Sequence, residues 1–157
     1  MRIKKKISFL IATFLGLGYS PKAPGTVGSL ATLPIAYVLS LYGNWQVLLA
    51  VILGIYVVGV LSTREVLKYT SHDPSFVVID EVVGQLLSFI SITKLFPLNN
   101  VCWLLGGFVA FRFFDILKPW PVSYFDKKWK NASGVMMDDV AAGIYAACIL
   151  KIIHLFL

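Results

Sequence analysis

The chain has 157 residues, enough for one domain, of which 58% are hydrophobic and only 14% charged, with a formal net charge of +6. A mean hydropathy of +0.80 lies outside the range of soluble globules and points to an integral membrane protein. Cys102 and Cys148 both fall in apolar segments without zinc-site spacing, so they are read as small buried hydrophobes and give no disulfide framework.

The N-terminus opens with Arg2, Lys4, Lys5 and Lys6, followed by an apolar run over residues 7–18. A dozen residues are too few for a crossing, so this run is predicted to be an interfacial or partly inserted helix. It also has the layout of a signal peptide, but the best cleavage position, after Pro21-Lys22-Ala23, has Pro where a small residue is needed and would leave Pro24 at the new terminus.

Five longer apolar stretches follow, at residues 27–42, 46–62, 79–96, 101–117 and 140–157. They predict an all-α polytopic membrane bundle of about five spans, forming a single domain over residues 1–157. Several are shorter than the ~20 residues of a straight crossing, which calls for local thinning or for helices that continue past the hydrocarbon. No internal repeat or low-complexity tract interrupts them.

Lys and Arg concentrate in cytoplasmic loops, and this fixes the expected orientation. With the N-terminus inside, twelve of the fourteen basic residues fall at the cytoplasmic side and only Lys94 and Lys151 at the other. The turns Tyr42-Gly43-Asn44-Trp45 and Pro97-Leu98-Asn99-Asn100 then lie outside, as does the C-terminus.

In this arrangement the acidic residues converge. Asp80 and Glu81 start the third span, Asp115 lies near the end of the fourth, and Asp138 and Asp139 precede the fifth, with Asp73 a few residues ahead of the third. Carboxylates at the margin of hydrocarbon are costly to desolvate, so they face a cavity, pair with cations or bind metal. Four segments thus deliver polar groups to one leaflet.

On the fourth span Arg112, Asp115 and Lys118 are three apart and share a helical face, where two cations beside a carboxylate suit a phosphate next to a metal. The same spacing is also met by an Arg112–Asp115 ion pair with Lys118 reaching the surface. On the third span Asp80, Gly84, Gln85 and Ser88 form a polar stripe, and Glu81 lies about 100° away. Glu81 alone also suits a helix dipole, and Asp138 alone an N-cap.

On the fifth span Asp139, Ala142, Gly143 and Ala146 make a face of small residues that permits close helix approach. Oxygen ligands from several helices, with no Cys or His cluster, favour Mg²⁺ over zinc.

The Pro24-Gly25-Thr26-Val27-Gly28-Ser29 turn offers an anion cradle through free N–H groups at a helix start, but it lacks the Lys of a P-loop. Residues 118–137 interleave Trp120, Tyr124, Phe125 and Trp129 with Lys127, Lys128 and Lys130, a pattern for an anionic lipid surface rather than nucleic acid. Asp126 in that segment reads as a solvated partner for Lys, and His72 as a loop histidine.

Four blocks, Pro24-Gly25-Thr26-Val27-Gly28-Ser29, Val78-Ile79-Asp80-Glu81-Val82-Val83-Gly84, Phe111-Arg112-Phe113-Phe114-Asp115-Ile116-Leu117-Lys118-Pro119-Trp120-Pro121 and Met137-Asp138-Asp139-Val140-Ala141-Ala142-Gly143, together resemble the phosphatidylglycerophosphatase A family. Their order and spacing extend over residues 18–143.

The resemblance implies a Mg²⁺-dependent phosphatase of the bacterial inner membrane. Its substrate is phosphatidylglycerophosphate and its products are phosphatidylglycerol and inorganic phosphate. On that reading Asp80, Glu81, Asp115 and Asp139 hold Mg²⁺, and Asp138 or Asp139 serves as nucleophile or base. Arg112, Lys118, Thr26, Gly28 and Ser29 bind phosphoryl oxygens. The competing class is a small transporter or metal-binding membrane protein, whose acids would reach the midplane and whose halves would show paired repeats.

Overall fold

The structure is a computed structural model that describes residues 2–42, 44–70, 74–92 and 101–156. Among the described residues there are seven α-helices and no strand: α1 (Arg2–Ala12), α2 (Pro24–Tyr42), α3 (Trp45–Val66), α4 (Ile79–Ser88), α5 (Val101–Leu117), α6 (Val122–Lys128) and α7 (Ala132–Phe156). Three helices are long and apolar enough to cross a bilayer, over Pro24–Leu41, Trp45–Val66 and Ala132–Phe156.

Local signals set the helix ends. Pro24 stands first in α2, where its missing N–H costs nothing. Asn44 caps α3 by accepting a hydrogen bond from the Val47 N–H at 3.1 Å, and Asn131 caps α7 in the same way from Gly134 at 3.0 Å. Because α7 begins at Ala132, Asp138 lies in its second turn, which rules out Asp138 as an N-cap.

The N-terminal helix also differs from expectation. It starts at Arg2 and stops at Ala12 rather than running through residues 7–18. The Thr13 hydroxyl donates back to the Phe9 carbonyl at 2.8 Å and accepts from the Gly16 N–H at 3.1 Å, and Phe14 and Leu15 turn to positive φ, so the chain leaves the helix there. A short 3₁₀ turn, Leu17–Tyr19, leads on to α2.

Among its described residues the third apolar stretch is α-helical from Ile79 to Ser88, roughly 15 Å of rise. The remainder of that stretch beyond Ile92, the Pro97–Asn100 turn, Lys94, His72 and Asp73 lie outside the described residues. The short helix occupies the centre of the bundle: Val82, Val83, Leu86, Gln85 and Ser88 are all fully buried.

It runs parallel to α7, with the Asp80 and Asp139 carboxylates facing each other at one end and the Ser91 hydroxyl donating to the Ala147 carbonyl at 2.9 Å toward the other. α5 runs antiparallel to both. Phe89 packs where Gly107 lacks a side chain, and Trp103 meets His154 edge-on at 5.9 Å.

The apolar surface is turned outward, with Leu53, Val57, Val109, Phe113, Ile144 and Ile152 exposed. Cys102 and Cys148 belong to this outer surface and are exposed, not buried. An outward-facing small apolar residue is compatible with hydrocarbon as its solvent, so apolar sequence context does not imply burial here.

The backbones of α4 and α7 approach closely. A Cβ on Gly143 would stand 2.5 Å from the Gly84 carbonyl oxygen, and one on Gly84 would stand 2.6 Å from that of Asp139. Both residues must be glycine for the helices to meet at this separation. Gly143→Ala should therefore lower stability by about 1–3 kcal/mol through overpacking, read as a drop in melting temperature in detergent; an unchanged melt would show that the two helices separate freely.

Candidate active site

The first turn of α4 carries Asp80 and Glu81, and the second turn of α7 carries Asp139. The close approach at Gly84 and Gly143 draws these segments together, and one oxygen from each of the three carboxylates lies within 4.8 Å of the others. Asp80 and Asp139 are buried, and Glu81 nearly so. Asp80 also accepts from the Glu81 N–H at 3.1 Å, so its carboxylate reaches over the start of the helix.

α5 brings up the counter-charge. The Arg112 Nη1 atom lies 2.5 Å from Asp115 Oδ2 and 3.8 Å from Glu81 Oε1, with both side chains of the Arg112–Asp115 pair largely shielded from solvent. The i, i+3 ion pair that the spacing allowed is therefore formed. One guanidinium thus reaches two carboxylates, and Glu81 Oε2 is buried without a hydrogen-bond partner among the described residues.

This donor set fits a hard divalent cation. Three clustered carboxylate oxygens supply the ligand type that Mg²⁺ prefers, and the buried Glu81 Oε2 atom receives no hydrogen bond from any described group. Asp115 is placed beside Arg112 rather than in the tight trio.

The start of α2 closes another side. A Cβ on Gly25 would run into Glu81 Oε1 and lie 3.2 Å from Arg112 Nη1, so Gly25 is the point where the α2 backbone meets the acidic cluster. The free N–H groups of this first turn therefore open beside the site. Thr26 is half-buried there, whereas Gly28 packs against Val78 and the buried Ser29 hydroxyl donates to the Gly25 carbonyl at 2.9 Å. Gly25 belongs to the expected cradle but is not among the residues expected to bind phosphoryl oxygens; its position directly after the helix-starting proline is the signal that marks it.

Lys118 and Asp138 form a neighbouring unit. The Lys118 ammonium donates to Asp126 at 2.6 Å and to Asp138 at 2.8 Å, and the backbone at Lys118 has φ 45°. Burial works to lower the Lys118 pKa, but the charge of Asp138 and the hydrogen bonds to Asp126 and Asp138 outweigh it and hold the ammonium above its ordinary value. Asp126 is thus a specific partner of Lys118, not a solvated loop acid. Because the Tyr145 hydroxyl donates to the Trp120 carbonyl at 2.8 Å, the α5–α6 connection is also tied to α7.

The wider grooves lie away from these acids. A groove of about 490 Å³ between α4 and α7 is lined by Leu87, Ile90, Ile144 and Ile152 among others, and by none of the carboxylates.

Comparison with known proteins identifies the family. The family model described as phosphatidylglycerophosphatase A matches residues 10–154. A phosphatidylglycerophosphatase A from Escherichia coli is 37% identical over 92% of this chain and 81% of its own length. One from Haemophilus influenzae is 40% identical over 93% of this chain and 91% of its own.

A Bacteroides thetaiotaomicron protein named as a candidate phosphatidylinositol-3-phosphatase is 34% identical over 94% and 96%. No solved structure matches the chain. With the model covering nearly every residue and the four acid- and glycine-bearing blocks inside it, the chain belongs to the phosphatidylglycerophosphatase A family.

Proposed function

We propose that the protein hydrolyses the terminal phosphomonoester of phosphatidylglycerophosphate to phosphatidylglycerol and inorganic phosphate, using Mg²⁺ held by Asp80, Glu81 and Asp139, with Asp115 contributing through Arg112 or water. The observation that carries this reading is the meeting of three carboxylate oxygens from two helices beside Arg112 and the glycine-opened start of α2. Mg²⁺ bound there supplies charge neutralisation for the phosphoryl oxygens.

The chain's own groups do the rest. Arg112 has five N–H donors, more than the Asp115 contact occupies, and turns the remainder toward phosphoryl oxygens. The N–H groups at the start of α2 and the Thr26 hydroxyl take a further oxygen, while Gly28 and Ser29 keep that turn packed on Val78 and itself. Lys118 uses two of its three N–H donors on Asp126 and Asp138 and has one for the substrate. In the reaction a water oxygen joins phosphorus, the P–O bond to glycerol breaks, and the leaving oxygen takes a proton. On this reading Asp138 or Asp139 serves as base or as a transiently phosphorylated nucleophile.

The reading places residues 1–157 as one domain in the bacterial cytoplasmic membrane, with five apolar segments and both the N-terminus and the site facing the cytoplasm. Its supports are the parallel course of α4 and α7, the opposite course of α5 and the basic residues at the carboxylate end. The lipid's acyl chains then lie among the helices, and its headgroup reaches the acids. The Bacteroides relative's name makes a phosphoinositide a second substrate to test.

Phosphate release by the purified protein in detergent should be strong with phosphatidylglycerophosphate and Mg²⁺, and should vanish in EDTA. Phosphatidic acid and phosphatidylinositol 3-phosphate should compete weakly; preference for the latter would reassign the substrate. Asp80→Asn and Asp139→Asn should each lower kcat at least about a hundredfold, and full Mg²⁺-dependent turnover by either would overturn the assignment.

Arg112→Lys should fail comparably, because an ammonium cannot reproduce the forked donors. A folded-state pKa above the unfolded one means that Lys118 stabilises fully below about pH 10.4 and loses that contribution as pH rises through the higher folded value. The melting difference between wild type and Lys118→Met should therefore be constant from neutral pH upward and shrink only in strong alkali.

A further inference from the structure

A second polar cavity, of about 310 Å³, opens between α1 and the C-terminal end of α3. Lys4, Arg64 and Lys68 contribute three cations to its wall, against the single carboxylate of Glu65. Lys68 binds that carboxylate at 2.7 Å, while Lys4 reaches it only at 3.8 Å. Arg64 has no ionic partner among the described residues. Two hydroxyls, on Ser8 and Ser62, line the same cavity, and neither makes a side-chain hydrogen bond among the described residues although both serines are buried. A pocket with net positive charge and two idle hydroxyl donors has the chemistry of an anion site.

The surroundings identify the anion's carrier. Leu61 forms the rim and is 60% exposed, and α1 presents Ile3, Ile7 and Leu10 outward along one stripe, each more than half exposed. An amphipathic helix with that stripe and adjacent lysines lies in the plane of the headgroups, where an acyl chain can run over Leu61 with its phosphate in the pocket.

We infer that this cavity is a second, non-catalytic site for the phosphate of an anionic phospholipid of the leaflet that holds the active site. It also bears on the acids. The carbonyl of Ala12, which ends α1, accepts from the Val78 N–H at 2.9 Å, and Val78 stands two residues before Asp80. Phe9 stacks on Phe76 at 5.9 Å in the same connection. A lipid clamping α1 to α3 therefore steadies the segment that leads into α4.

The test uses the full chain and a lipid with no phosphomonoester, so that it is independent of the catalytic assignment. Native mass spectrometry of protein from nanodiscs of phosphatidylcholine doped with cardiolipin should show one retained cardiolipin, and none retained selectively from phosphatidylcholine alone. Lys4→Gln and Arg64→Gln should each weaken retention about fivefold, and Arg64→Lys should largely preserve it. Ser62→Leu, which fills the pocket without changing charge, should abolish retention while Asp139→Asn leaves it intact. Retention unchanged in both Arg64→Gln and Ser62→Leu would overturn the site. Displacement of cardiolipin by inorganic phosphate would overturn the lipid as its occupant.

Discussion

The fold is organised around the cost of holding carboxylates together at the edge of hydrocarbon. Asp80, Glu81 and Asp139 approach within 4.8 Å, and Asp115 stands one guanidinium away. Two like charges about 4 Å apart repel by roughly 4 kcal/mol at an effective dielectric of 20. Arg112 cannot cancel three such interactions, so the packing must hold what the electrostatics would separate. Fully buried Leu86, Phe89, Phe111 and Met136 around α4 supply that packing, and the glycine contact at Gly84 and Gly143 sets its geometry.

The five site carboxylates consequently divide into two kinds. Asp115 and Asp138 each have a cation in direct contact, Arg112 and Lys118 respectively. Among the described residues the other three pair with no lysine, and their guanidinium contact is Arg112 at 3.8 Å from Glu81. The three left short of positive charge are the ones that could hold a metal ion, whereas Asp115 and Asp138 each fix the position of a cation. This division explains why adjacent residues, Asp138 and Asp139, have different surroundings: consecutive helix positions differ by about 100°, so one faces α4 and the other the α5–α6 connection.

Much of this is legible in sequence because membrane proteins write their polar groups against an apolar background. Asp80, Glu81, Arg112, Asp115 and Asp139 stand out for that reason, and the basic residues mark the face they share. Contacts set by tertiary turns are not legible. Lys118 finds Asp126 eight residues on only because its backbone turns to φ 45° and α6 folds back.

The hydroxyl of Ser29 looks like a ligand in the motif but bonds within its own helix, a competition that spacing cannot reveal. The length of α4 is equally hidden, since an apolar run over residues 79–96 does not say that the described helix stops at Ser88. The exposed cysteines make the same point from the other side: hydropathy separates membrane from water, not helix contact from lipid contact.

Two helix starts, those of α2 and α4, open on the same acids, and this combination narrows the chemistry. The positive end of a helix macrodipole favours anions and disfavours an added cation. A cluster built only to bind and pass a metal ion gains nothing from two such ends, and α4's first turn already carries the carboxylates that offset its own. The start of α2 has no acidic residue in its first turn, and Gly25 removes the side chain that would block it. The α2 start, with no acid of its own, thus meets the Glu81 carboxylate through Gly25, and its N–H groups favour an anion rather than a bare cation, in keeping with the phosphoryl group of the proposed substrate.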